Sequence, residues 1–165
     1  KNEIPEPMGS RHPSIAPFEA FKTKDNYIII AAGNDKLFEK LCNVLNITEI
    51  ANDERFNTNS LRCENMNQLK KIFEKQLKSK TTDEWIKEME LLKIPCGPIF
   101  NIKQAVENPQ IKERNMIVKS YHKIIGEFKS AGNPIKMSTY EDTDTRGDIP
   151  DLDEHRDKII KEFSK

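Results

Sequence analysis

Gly33, Asn34 and Asp35 stand out as residues placed for chemistry. They follow the β-branched run Tyr27 to Ala32 and precede Leu37, Phe38, Leu41, Cys42 and Leu45, which recur at helical spacing. Where a strand hands over to a helix N-terminus, free backbone N–H groups and the positive end of the helix dipole suit an oxyanion or a carboxylate. Ordinary capping by Asn34 or Asp35 is the competing reading. Cys42, Cys63 and Cys96 are odd in number, far apart and without a CxxC, so they build neither a disulfide framework nor a zinc site, and reduced intracellular thiols are the plain reading. Cys96 lies between Pro95 and Gly97 with no base or cation in view to lower its pKa, which favours packing or a tight turn over a thiol nucleophile. His122 and His155 have no partner at metal spacing, so no metal site is expected. Arg55, Arg62 and Arg114 could contact phosphate groups, but pairing with Asp53 or Glu64 is the commoner fate of such arginines.

These residues need elements to hold them. The chain has 165 residues, enough for one domain, or one domain with an appendage, around a real core. Lys+Arg and Asp+Glu balance at 27 each, leaving no net field to draw nucleic acid or an anionic membrane. No apolar run is long enough to cross a bilayer, and Lys1 to Met8 lacks the apolar stretch and cleavage site of a signal peptide. The expectation is a cytoplasmic protein without nucleic-acid or membrane partners. The two prolines among the first seven residues read as a linker leading in from something upstream.

Phe18 to Phe21 and Tyr27 to Ala32 read as two antiparallel strands, the second central and buried on both faces. A helix follows from Asn34 or Asp35. Leu61, Leu69, Ile72, Phe73 and Leu77 predict a second helix. Thr81 and Glu84 have capping-box spacing ahead of Trp85, Ile86, Met89 and Leu92, a third helix with Trp85 as its core anchor. Pro95, Gly97 and Pro98 break into a short extended stretch. Two helical pieces, about Ile102 to Glu107 and Pro109 to Arg114, precede a strand over Met116 to His122. Gly126 to Lys136 and Ser138 to Pro150 read as irregular surface segments, and a last helix, with Asp153 available as its cap, carries the stripe Ile159, Ile160 and Phe163. The fold class is α+β: a small antiparallel sheet packed with several helices, then an extended return linker and a C-terminal helix.

Taken in order, several stretches resemble the family III CoA-transferases, the group of formyl-CoA transferase, the carnitine CoA-transferases and α-methylacyl-CoA racemase. They are His12 to Phe21, Ile30 to Phe38, Asp53 to Asn59 with Arg62 and Asn65, Trp85, Ile94 to Ile99, Asn108 to Met116, Gly132 to Ser138, and Glu154-His155. No single stretch is diagnostic, but the ordered series spans nearly the whole chain.

The resemblance implies an acyl-CoA:carboxylate CoA-transferase working through an aspartyl nucleophile. That aspartate would lie upstream, outside this chain, making the chain an inactive C-terminal fragment that needs the missing N-terminal half. By the same resemblance, residues 1–14 are the linker from that half, 15–125 the small domain and 126–165 the return linker and last helix, and the full-length protein is an interlocked homodimer. Substrates would be acyl-CoA and carboxylic acids, with a coenzyme A thioester as substrate and no tightly bound cofactor. Asp35 matches the position of an acidic residue that faces the acyl-CoA site in racemase relatives, so it is carried as an accessory catalytic residue. Gly33 and Asn34 are carried as substrate-binding. Gly9 and His12 join them because Met8 to Pro13 occupies the place of the glycine-rich flap of formyl-CoA transferases. Only Gly9 stands there, a departure that suits the carnitine, racemase or aryl-acid branches better than formyl or oxalate specificity. A fragment of a 2-methylacyl-CoA racemase, or a non-catalytic α+β interaction module, are the alternatives.

Overall fold

The computed structural model describes residue 4 and residues 6–164; residues 1–3 and 5 of the expected linker lie outside the described residues. The chain divides into two compact units, Lys1–Ile99 and Phe100–Lys165. Both units combine short strands with helices, so the fold is α+β.

In the first unit, β1 (Phe18–Lys22), β2 (Tyr27–Ala31) and β3 (Cys96–Pro98) form an antiparallel sheet with β2 in the middle. The β1–β2 register sets Phe18 opposite Ala31 and Phe21 opposite Ile28. Because side chains alternate across a strand, Phe21, Ile28 and Ile30 all reach the core. Ile29 and Ala31 are only half-buried, so β2 is covered fully on one face rather than on both. The helices of this unit pack on the first face. A run of β-branched residues favours the strand either way, and that is why composition alone did not distinguish one covered face from two.

Helix α1 (Asp35–Val44) buries Phe38, Leu41 and Cys42. It stops where Asn46 takes a left-handed φ of 55° and the Ile47 N–H closes back on the Cys42 carbonyl, a common way to satisfy the last carbonyls of a helix. A 3-10 turn, Thr48–Asn52, follows and is too short to show in sequence periodicity. The helix expected over Leu61 to Leu77 is two helices, α2 (Asn59–Glu64) and α3 (Met66–Leu77). Asn65 parts them: its backbone leaves helical geometry, and its side-chain amide donates to the carbonyls of Leu61 and Arg55. Asparagine competes for backbone groups in this way, and the apolar spacing on either side hides it.

Helix α4 (Thr82–Leu91) opens on the capping box of Thr81 and Glu84. Trp85 is buried and donates its indole N–H to the Leu77 carbonyl at 2.8 Å, which binds α4 to the end of α3. Phe73 joins Phe21 and Phe38, with ring centroids 5.8 and 6.2 Å apart. Each fully buried ring contributes on the order of 1.5–3 kcal/mol.

The second unit holds α5 (Ile102–Glu107), α6 (Pro109–Glu113), β4 (Ile117–His122), β5 (Gly126–Ala131), β6 (Thr145–Asp148) and α7 (Arg156–Phe163). The sheet order is β5-β4-β6, antiparallel on one side of β4 and parallel on the other. The segments read as irregular, Gly126 to Lys136 and Ser138 to Pro150, therefore each supply a strand. Their residues stay half or fully exposed, so no apolar alternation marked them, and pairing with β4 satisfies their backbone instead. The expected boundary at 125/126 falls in the turn joining β4 to β5. Gly132 is required where it stands, because a Cβ there would overlap the Asn115 carbonyl oxygen. Asp153 does not cap α7: it sits at a φ of 71° with its carboxylate on Arg156, and His155 holds the cap position without a side-chain bond. Ile159, Ile160 and Phe163 form an exposed stripe.

Candidate functional site

Gly33 follows β2 by two residues and closes on the chain that leads into β1. A side chain at position 33 would run into Ile15 Cγ2, so only glycine lets the two segments meet this tightly. Asn59, the first residue of α2, secures the other side of that approach. Its amide donates to the Ser14 carbonyl at 2.9 Å, and its oxygen accepts the Ala16 N–H at 3.0 Å. Ile15, Phe18, Ala31, Gly33, Asn34, Leu37 and Asn59 then line an open cleft of about 510 Å³. Its walls are mostly apolar, with the amides of Asn34 and Asn59 among them, the composition usual for a site that binds an organic molecule.

Asn34, not Asp35, caps α1: Asn34 Oδ1 accepts the Leu37 N–H at 2.9 Å, and the Asn34 carbonyl accepts the Phe38 N–H at 2.9 Å. The donors left at this turn are those of Asp35 and Lys36. Asp35 turns to Arg62, whose Nη2 donates to Asp35 Oδ1 at 2.8 Å and to the Gly33 carbonyl at 3.3 Å. The same guanidinium, fully buried, reaches the Ala16 carbonyl at 2.8 Å and the Phe56 carbonyl at 3.0 Å. It also lies 4.5 Å from the centre of the Phe38 ring. Arg62 thus ties together both segments that meet at the cleft and the first residue of α1. Its expected partner, Glu64, takes no part. Arg55 does pair with Asp53, at 2.7 Å, and those hydrogen bonds lower the Asp53 pKa to about 2.

His12 is half-buried, its ring stacked 5.3 Å from that of Phe18, which lines the cleft. Gly9 takes a φ of 68° in the turn that brings this segment to β1 and does not line the cleft. The structure therefore groups Gly33 and Asn34 at the cleft, Asp35 beside them, and His12 on its wall through Phe18. A smaller hollow of about 80 Å³ lies under His12 and shares Ile15 with the cleft.

The three cysteines are free, and burial pushes the Cys42 thiol up to about 12 and raises that of Cys96. Neither has the lowered pKa of a nucleophile. Among the described residues no group of three or more His, Cys, Asp or Glu is placed to hold a metal ion, and no helix is long and apolar enough to cross a membrane. In the second unit, the hollow beside Tyr140 is flanked by Lys136 and Arg146, but Asp142 engages both, first Lys136, and its own pKa is lowered by them.

A model of CoA-transferase family III matches residues 1–156. The chain belongs to that family. It is 38% identical over 162 residues to an acetyl-CoA:oxalate CoA-transferase of Acetobacter aceti, covering 98% of this chain and 40% of the relative. It is 32% identical over 154 residues to the succinyl-CoA:glutarate CoA-transferase of Homo sapiens, covering 93% of this chain and 35% of that one. A solved CAIB/BAIF family protein from Brucella suis superposes with a TM-score of 0.74 at 35% identity, over 97% of this chain and 41% of that one. The chain spans 35–41% of the length of these relatives.

Proposed function

We propose that this chain forms one wall of the active site of an acyl-CoA:carboxylate CoA-transferase whose aspartyl nucleophile lies upstream, outside the chain. In that reaction the aspartate attacks the thioester carbonyl and expels CoA thiolate, leaving a mixed anhydride. The thiolate attacks the aspartyl carbonyl and releases the donor acid; the acceptor carboxylate then repeats the exchange in reverse and leaves as the new thioester. Charge on oxygen develops at each step, and donors held in a fixed place stabilise it best.

The observation that carries this reading is the cleft that closes on Gly33 and Asn34 with Asp35 held beside it by a buried arginine. Gly33 and Asn34 would contact the acyl group, Asp35 would assist a catalytic group of the other domain, and His12 and Gly9 would border the thioester. Residues 1–14 would lead in from the missing half, residues 15–125 would supply the small domain, and 126–165 the return segment. The relatives' names pair an acyl-CoA with oxalate or glutarate, so a short dicarboxylate is the acceptor class proposed here, in place of the carnitine, racemase or aryl-acid branches that the single Gly9 at the flap position suggests. CoA thioester would be a substrate rather than a resident cofactor, and the working form an interlocked homodimer in the cytoplasm.

The test is to assay acetyl-CoA with oxalate, and succinyl-CoA with glutarate, using the chain alone and after co-expression with the N-terminal part of the Acetobacter aceti relative. Transfer only in the co-expressed sample is expected, and it should fall at least about tenfold with Asp35→Ala. Turnover by the chain alone, or full activity of the Asp35→Ala sample, would contradict the proposal.

A further inference from the structure

Glu19 is a charged residue that the proposed chemistry leaves unused. It lies on β1 with its side chain 4% exposed, on the face opposite Phe18. A carboxylate that deep needs partners, and it has two from different parts of the chain. Arg11 Nε donates to Glu19 Oε1 at 3.1 Å, while Lys70, on α3, binds Glu19 Oε2. Both partners are fixed a second time: Arg11 Nη2 donates to Asn67 Oδ1 at 2.9 Å, and Lys70 donates to the Ala20 carbonyl at 2.8 Å.

Arg11 belongs to the segment of residues 9–13, and three further contacts lay that segment along the outer edge of β1. The His12 N–H donates to the Phe18 carbonyl at 2.9 Å, Ser10 Oγ accepts the Ala20 N–H at 3.1 Å, and the His12 ring stacks on Phe18. These contacts are short-range and partly exposed; the Glu19 pair reaches from the segment into the core. Gly9, at a φ of 68° with open space around it, is where the backbone can turn.

We infer that residues 9–13 are a strap latched shut by Glu19, which acts through Arg11 to keep His12 on the Phe18 wall of the cleft. Glu19 is a positioning residue, and Lys70 of α3 pairs with its other carboxylate oxygen without touching the strap. Opening the strap would uncover Phe18 and join the 80 Å³ hollow to the 510 Å³ cleft at their shared residue, Ile15. The latch concerns the chain's own motion and stands apart from the transfer reaction, so it can fail while the proposed function survives, and the reverse.

The experiment is amide hydrogen exchange, residue by residue, on the intact chain and on Arg11→Ala, Arg11→Lys and Lys70→Met. Arg11→Ala leaves Glu19 paired with Lys70, so the core keeps its charge balance. Exchange at the His12 and Ala20 amides should rise roughly tenfold or more in Arg11→Ala, with Leu41 and Phe73 unchanged. Arg11→Lys, which can reach Glu19 but not also Asn67, should restore part of the protection. In Lys70→Met the strap amides should stay protected. Unchanged His12 and Ala20 exchange in Arg11→Ala would overturn the latch. So would an equal rise at Leu41 and Phe73, or a strap that opens as far in Lys70→Met as in Arg11→Ala, since either would make these residues general supports of the fold.

Discussion

Arg62 and Asp35 form an ion pair whose halves live in different surroundings: the guanidinium is fully buried, while the carboxylate 2.8 Å away is 75% exposed. The arginine also holds three backbone carbonyls, those of Ala16, Phe56 and Gly33. The pair is therefore a structural arginine that lends a fixed position to a solvent-facing acid.

That asymmetry predicts unequal costs. Arg62→Ala leaves three carbonyls without their donor and a hole beside Phe38, and should lower stability by about 3–5 kcal/mol. Asp35→Asn keeps an acceptor at the same place in contact with water, and should cost far less. Urea unfolding followed by the fluorescence of buried Trp85, the single tryptophan, measures both. Equal losses would contradict the division of roles.

Gly33→Ala should destabilise by about 1–3 kcal/mol, because its new methyl must displace Ile15 in a packed junction. Ile15→Ala removes the obstructing atoms. The double variant should recover part of the loss, and a double-mutant cycle measures that coupling. Additive losses would mean that the strain lies elsewhere.

Acid should weaken the first unit through Asp53 and Asp25. Hydrogen bonds from the Arg55 side chain, then from its backbone, hold Asp53 at about 2 against an ordinary 3.8, and the Thr82 backbone N–H leads the lowering of Asp25. A carboxyl with a depressed pKa stabilises the fold above its unfolded value, and that contribution disappears as pH falls through the folded value. The loss should therefore run from near pH 4 toward pH 2. Both groups are at the surface, so the effect is modest. Urea midpoints across that range should show a shallower slope in Arg55→Gln, which drops the guanidinium bonds and keeps the backbone donor at 55.

Iodoacetamide should leave Cys42 unmodified at pH 7.5 until the protein unfolds, since its thiol is buried and raised to about 12. Cys96 should react slowly and faster as pH rises, because burial raises its pKa too. Peptide mass spectrometry resolves the two sites. Rapid Cys96 labelling at neutral pH would contradict the surroundings described for it.

The elements of the first unit were legible because each carries a local signal. The β-branched run of β2, the capping box of Thr81 and Glu84, and the prolines around Cys96 each act within a few residues. The junction at Gly33 was legible for the same reason. The partners that hold it were not. Arg62 meets Asp35 across 27 positions of sequence, and Arg62 sits two residues from Glu64, which offered a nearer and wrong partner. No local signal in β1 marks Glu19 as a buried, paired carboxylate; the fold brings α3 and the Arg11 segment together on it. β5 and β6 escaped notice because pairing with β4 stabilises them through the backbone, leaving side chains that look like those of loops.

The bend at Asn65 has a geometric effect beyond parting two helices. Arg62 precedes it and Lys70 follows it, so one short stretch sends a cation to Asp35 and another to Glu19. Adding or removing a single residue at that elbow would rotate one cation by about 100° around its helix axis relative to the other. The placing of Asp35 and the pairing of Glu19 therefore both depend on the geometry at Asn65, a residue that lines neither hollow.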